Sequence, residues 1–390
     1  MPSLNQHKPL HSLGQNWGRA ARAVITRLRP SVLVNLAFFS ERATGLATYT
    51  RHIVPHLQPL APTLLAARAH PGFPHHPIPD NLTAAHGSRG HLRRLLWTQF
   101  RLPRLYHRLG ADLLFSPVPE APLYARCRSV VMIHDTIPLR FPDPRSRLRL
   151  YHQHWLPRVA QQAEQVICNS VATARDIVEF LGVPAPRIAP ILLAYDRNRF
   201  HPLDPADLPS PPARPYFLYL GRHNPYKNVA RLVTAFAALT QHGDYELRLA
   251  GPTDPRYTPQ LRAQVAELGL GDRVHFLDYV SDDELPILLN QALALVFPSC
   301  WEGFGLPLLE AMACGTPAIA ANVSSLPEVA GEAALLIDPA SAAELAGAMR
   351  QVAEDGELRR QLRDRGLARA GQFSWAKTGQ ATVEVLQALL

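Results

Sequence analysis

Lysine is almost missing from this chain: of 40 basic residues only Lys8, Lys227 and Lys377 are lysines, so a lysine inside a motif draws attention. Cysteine is scarce as well. Cys127, Cys168, Cys300 and Cys314 stand far apart, with neither the paired spacing of a zinc site nor the density that staples a secreted domain, and reduced thiols are expected. No apolar run approaches the roughly 18 uninterrupted residues of a membrane-spanning helix. Arg19, Arg22, Arg27 and Arg29 interrupt the first thirty residues, which therefore lack the apolar core and cleavage site of a secretory signal; the expected location is cytoplasmic. No Gly-x-Gly-x-x-Gly follows any strand-like run, which argues against a nicotinamide oxidoreductase.

What is present is a chain of 390 residues, 47% hydrophobic and 18% charged, which reads as a globular protein of two or three domains. Its net charge of +8 is unevenly spread: residues 1–200 carry 25 Lys+Arg against 10 Asp+Glu, and residues 201–390 carry 15 against 22. The basic half is suited to an anionic partner such as a lipid headgroup surface, a charged acceptor or nucleic acid. Strand-like runs at 32–39, 63–67, 112–116, 129–133 and 165–169 alternate with helical patterns, and a second set follows at 216–220, 245–250, 273–277, 293–297, 316–320 and 333–337. That alternation predicts parallel sheets with crossover helices. Between the sets, residues 201–215 hold six prolines, too many for a helix or a central strand. The fold class is therefore α/β, two Rossmann-like domains facing a central cleft, because ligands of such sheets sit beyond the carboxyl ends of the strands. The predicted division is an N-terminal domain over 1–196, a proline-rich linker over 197–214, a C-terminal domain over 215–373 and a terminal helix over 374–390 that can return to the first domain.

The most informative stretch is 285–327, where Glu302 and Glu310 are the only formally charged side chains among forty-three residues. A carboxylate in apolar surroundings is costly unless paired or hydrogen-bonded, so a partner should meet each of them. A strand over 293–297, a turn over 298–303 and a helix beginning near Phe304 would aim unpaired N–H groups at an anion, with Gly303 and Gly305 allowing close approach. The plainer reading is that Glu302 caps the helix and Glu310 faces solvent.

The order Pro298-Ser299-Cys300-Trp301-Glu302-Gly303-Phe304-Gly305-Leu306-Pro307, followed by Glu310-Ala311-Met312-Ala313-Cys314-Gly315-Thr316-Pro317 and Ser324-Ser325-Leu326-Pro327-Glu328, resembles the signature of the retaining, nucleotide-sugar-dependent family-four glycosyltransferases of GT-B fold. The resemblance implies that Glu302 holds hydroxyls of the donor sugar and Glu310 the ribose, while backbone N–H groups around Gly303, Phe304, Gly305 and Leu306 face sugar and phosphate. Residues 221–228, Gly-Arg-His-Asn-Pro-Tyr-Lys-Asn, resemble the family's diphosphate segment, with Arg222 and Lys227 as its two cations. With no Asp-x-Asp pair in the chain, those cations take the place of a metal ion, and neither a metal site nor a cofactor is expected beyond the nucleotide-sugar co-substrate. His134, delivered by the strand at 129–133, matches the family's active-site histidine. Gly45 sits in a turn that resembles the family's glycine-rich loop, although Ala47 stands where a second glycine is frequent. Tyr279, in a segment resembling the loop under the nucleotide base, is a further donor contact.

The resemblance thus implies a retaining hexosyltransferase acting on a saccharide or lipid-linked saccharide acceptor in polysaccharide or glycolipid synthesis. The run Asn322-Val323-Ser324-Ser325-Leu326-Pro327-Glu328 is similar to bacterial polysaccharide mannosyltransferases, which points to GDP-mannose first and UDP-glucose second. The competing reading is a non-catalytic protein of the same fold that binds an anionic polymer or membrane; nucleic acid is not an expected partner, because no recognition motif accompanies the arginines. Residues 86–108 carry six arginines among leucines and aromatics and no acid. They suit equally an anionic membrane interface, at the inner face of the membrane, and an arginine-rich surface helix packed on its own sheet. Residues 70–79, rich in His and Pro, read as a loop.

Overall fold

The computed structural model describes residues 31–40, 45–143 and 149–390. The arginines at 19, 22, 27 and 29, and Thr44 of the glycine-rich turn, lie outside the described residues. The first sheet is formed by β1 (Val32–Asn35), β2 (Thr63–Ala66), β3 (His75–Pro77), β4 (Leu113–Ser116), β5 (Ser129–Ile133), β6 (Gln165–Cys168) and β7 (Ile188–Pro190), and all its pairings are parallel. The second comprises β8 (Tyr216–Leu220), β9 (Glu246–Ala250), β10 (Val274–Leu277), β11 (Ala294–Phe297), β12 (Ala318–Ala321) and β13 (Leu335–Ile337), again all parallel. Central strands such as β1, β4, β8 and β11 are buried along their whole length. Helices cover both faces of a parallel sheet, so its strands read as continuous apolar runs.

Strand order is β3-β2-β1-β4-β5-β6-β7 in one sheet and β10-β9-β8-β11-β12-β13 in the other. Each order reverses beside its first strand, between β1 and β4 and between β8 and β11, and such a reversal opens a crevice at the carboxyl ends of those strands. Two strands depart from the sequence reading: residues 75–77 form β3 where a loop is expected, and 188–190 form β7. Both are three-residue edge strands ending in proline, too short for a periodic signal and tolerant of proline because one side of an edge strand needs no donor.

The helices that matter for the site are α1 (Gly45–Ile53), α2 (Gly87–Phe100), α3 (Leu102–Arg108), α4 (Val171–Leu181), α5 (Val229–Leu239), α6 (Leu306–Ala313), α7 (Leu326–Ala330) and α8 (Trp375–Gln387). Residues 201–215 carry neither helix nor strand. Helix α8 crosses back to the first domain and packs on α1 and the Val54–Leu60 turn. There the Trp375 ring stacks on His52 at 4.9 Å, and the Thr378 hydroxyl donates to the Leu192 carbonyl at 2.7 Å.

Candidate active site

The cleft between the two sheets is built from strand ends. Strand β8 runs into Gly221 and Arg222, and a single turn, Pro225–Lys227, presents Lys227 to Glu302 beyond the end of β11. Asn228, in the left-handed region at φ 64°, ends that turn, and its amide donates to the carbonyls of Pro298 (3.0 Å) and Pro339 (2.8 Å). Strand β11 leads through the 298–305 turn into α6. Gly305 takes φ +102°, which an L side chain rarely adopts, and a Cβ at Gly303 would overlap the His134 carbonyl oxygen. The glycines are therefore required by a turn and by a close approach between domains. With His134 at the end of β5, Gly45 at the start of α1, and Gly303 to Leu306, these residues line one cleft of about 510 Å³.

Lys227 and Glu302 meet directly: Nζ donates to Oε1 at 2.5 Å, and both side chains are largely buried. The carboxylate thus has the partner its apolar setting demands, and the free cleft is close to charge-balanced at its centre. Glu302 is further fixed by its backbone, whose N–H donates to Ser324 Oγ at 3.0 Å and whose carbonyl accepts from Ser325 Oγ at 3.0 Å. Ser325 also donates to the Phe304 carbonyl. The two serines that follow β12 therefore hold the turn in shape, a task the sequence alone did not reveal.

The His134 ring places Nε2 3.0 Å from the Pro117 carbonyl, so Nε2 carries the proton and donates it. Burial pushes the ring pKa down to about 4, and His134 is neutral throughout the physiological range, with Nδ1 left as an acceptor. Its ring meets Tyr49 edge-on at 4.9 Å. Asp135, the next residue, also lines the cleft. Desolvation by the cleft walls, partly offset by the Ile137 N–H it accepts from, pushes its carboxyl above the ordinary value, and Glu302 adds to the effect.

The domains are tied together beside this cleft. The Gly303 carbonyl accepts from Ser170 Oγ (2.7 Å) and Thr173 Oγ1 (3.1 Å) at the start of α4. The Trp301 indole donates to Asp176 Oδ2 at 2.8 Å while the Arg140 guanidinium lies 3.8 Å over the same ring. Glu328 of α7 accepts from the N–H groups of Val171 (2.8 Å) and Ala172 (2.7 Å), so a carboxylate of one domain caps a helix of the other. Trp301, Asp176, Arg140 and Glu328 join the site only through the fold, since more than a hundred residues separate the partners of these contacts, while Asn169 donates to the His134 carbonyl at 2.8 Å.

Two residues singled out in the sequence stand apart from the cleft lining. Tyr279 is 73% exposed and lines a separate shallow cavity with Leu277 and Val280. Glu310 lies half-buried on α6, one turn past the Leu306 and Pro307 that line the cleft. Burial pushes its carboxyl up to about 7, with Arg199 opposing and Asp282 reinforcing the shift.

The model for glycosyl transferases group 1 matches residues 201–369, and the model for glycosyltransferase family 4 matches residues 43–199. O-antigen chain mannosyltransferase B of Escherichia coli is 33% identical over 273 residues, covering 67% of this chain and 71% of that protein. The serotype-specific mannosyltransferase WbdA of Escherichia coli is 28% identical over 67% of this chain, which spans 34% of that longer protein. Among solved structures, HepE of Anabaena in complex with UDP and glucose superposes with a TM-score of 0.72 over 92% of this chain and 100% of that one, at 22% identity. That likeness is one of fold.

Proposed function

Because the chain belongs to the family-four glycosyltransferases of GT-B fold, we propose that it moves mannose from GDP-mannose, with UDP-glucose as the second choice of donor, to a saccharide or lipid-linked saccharide acceptor during polysaccharide synthesis. The observation that carries this reading is the convergence of Arg222, Lys227, Glu302 and His134, from three strand ends of two domains, on one cleft. The mannosyltransferase names of the relatives support the choice of sugar.

In this proposal the donor diphosphate lies between Arg222 and Lys227 and before the first turn of α6, whose N–H groups face it. Cleavage of the sugar–phosphate bond builds charge on the leaving phosphate, and the two cations stabilise that charge in place of a metal ion. Glu302 holds sugar hydroxyls, and Lys227 is shared between Glu302 and the phosphate. His134 accepts a hydrogen bond from the sugar at Nδ1; a ring with so low a pKa is no general acid or base near neutrality. Retention follows from a front-side attack in which the acceptor hydroxyl gives its proton to the leaving phosphate as the new glycosidic bond forms on the same face. Glu310 accepts from the ribose, Tyr279 lies near the base, and Gly45 lets its backbone approach the donor. Titration of the free protein with GDP-mannose and UDP-glucose by calorimetry tests the reading, with saturable binding of one expected and binding of neither overturning it.

We also propose a peripheral seat on an anionic leaflet. Among the described residues no helix is long and apolar enough to cross a membrane. Helix α2, however, exposes Leu92 (57%), Leu96 (49%) and Phe100 (58%) on one face, with exposed Arg89, Arg93, Arg101 and Arg104 beside them. Apolar side chains flanked by arginines suit an interface that is apolar below and anionic above.

A further inference from the structure

A second cavity, of about 530 Å³, lies on the inner side of α2 against the Tyr151–Trp155 turn, and it shares no lining residue with the donor cleft. Its floor is charge-neutral. Arg94 is held by both oxygens of Glu120 (2.8 and 2.9 Å) and by the Leu82 carbonyl. His91, within 3.1 Å of Arg94, has its pKa lowered by burial and by that guanidinium, so it adds no charge near neutrality. Leu92, Leu95, Ala121 and Trp155 supply apolar walls.

Position adds to chemistry. Leu92 belongs both to the cavity lining and to the exposed apolar face of α2, so the rim of the cavity opens onto that face. At the other side, the Tyr151–Trp155 turn of the lining packs on the Ile137–Arg140 segment, whose Ile137 lines the donor cleft. The cavity therefore stands between the proposed membrane face and the place of sugar transfer. We infer that it holds the hydrocarbon chain of a glycolipid acceptor, next to the sugar. The engaged Arg94 leaves no free cation to receive a phosphate inside, so the occupant is neutral. This inference rests on the transferase reading and names the acceptor class for it.

The test is calorimetric titration of the free protein with octyl α-mannopyranoside, below its micelle concentration, and with methyl α-mannopyranoside. The octyl glycoside should bind at least about tenfold more tightly, since each buried methylene contributes roughly fourfold. Filling the cavity, by Ala121→Leu or independently by Leu95→Trp, should remove that advantage while nucleotide binding persists and reports the fold. Leu96→Ser, on the exposed face outside the lining, should keep it. Equal binding of the two glycosides overturns the inference, as does an advantage that survives both filled variants or vanishes with Leu96→Ser. If the octyl glycoside behaves as described and no nucleotide sugar binds, the cavity assignment stands and the transferase reading fails; the reverse pattern sinks the cavity alone.

Discussion

The Lys227–Glu302 pair changes what a single substitution can report. Removing Lys227 takes away the proposed phosphate cation and also strands a buried carboxylate, an error that commonly costs about 3 to 5 kcal/mol. Lys227→Met should therefore lower turnover about a hundredfold or more and lower the melting temperature as well. Adding Glu302→Gln to it should recover stability without recovering turnover, and thermal unfolding beside initial rates separates the two effects. Glu310 makes a second prediction at this scale. Its folded carboxyl titrates near 7, above the ordinary carboxylate range, so the free protein holds a proton that the unfolded chain releases. This group's stabilising contribution is full below the ordinary carboxylate value and is lost as pH rises through about 7. Acceptance from a ribose favours the ionised form, so nucleoside diphosphate affinity should rise as pH passes from 6 to 8. Glu310→Gln should abolish that rise; an unchanged pH profile in the variant would remove Glu310 from the ribose.

At the scale of elements, the inner strands were legible because burial on both faces writes them as runs such as Tyr216 to Leu220, whereas edge strands β3 and β7 were not, being short and proline-bearing. The turn between β11 and α6 was legible for a different reason. Two acids alone among forty-three residues mark a place where charge is retained against its cost. The capping of α4 by Glu328 was illegible, because a helix N-terminus paired with a distant carboxylate leaves no local pattern. Glu328→Ala should loosen the domain contact, raising the radius of gyration in solution scattering and raising KM more than it lowers kcat. Helix α2 reads as basic and apolar in sequence, but its Arg94 turns inward to Glu120, so its outward charge is smaller than the sequence suggests. The protein should sediment with anionic vesicles at low salt and leave them as salt rises, with Leu96→Asp weakening the salt-resistant part. Equal partitioning onto neutral vesicles would count against the membrane seat.

At the scale of the molecule, two sheets with the same pattern of strand order present their switch points to one another. The site forms where they face, and neither domain alone contains it: Glu302, Lys227 and Arg222 come from the second, His134 and Asp135 from the first. Tethers at Gly303, Trp301 and Glu328 set the distance between the halves. Sugar transfer with retention, through cations of the second domain and a neutral histidine of the first, is the central claim. It is tested most directly by following the anomeric carbon of the product by NMR after incubation with GDP-α-mannose and octyl α-mannopyranoside. The parent protein should give an α-linked product and Arg222→Ala with Lys227→Met none; a β-linked product would exclude retention, and undiminished α-linked product from the doubly substituted protein would exclude the two cations from the reaction.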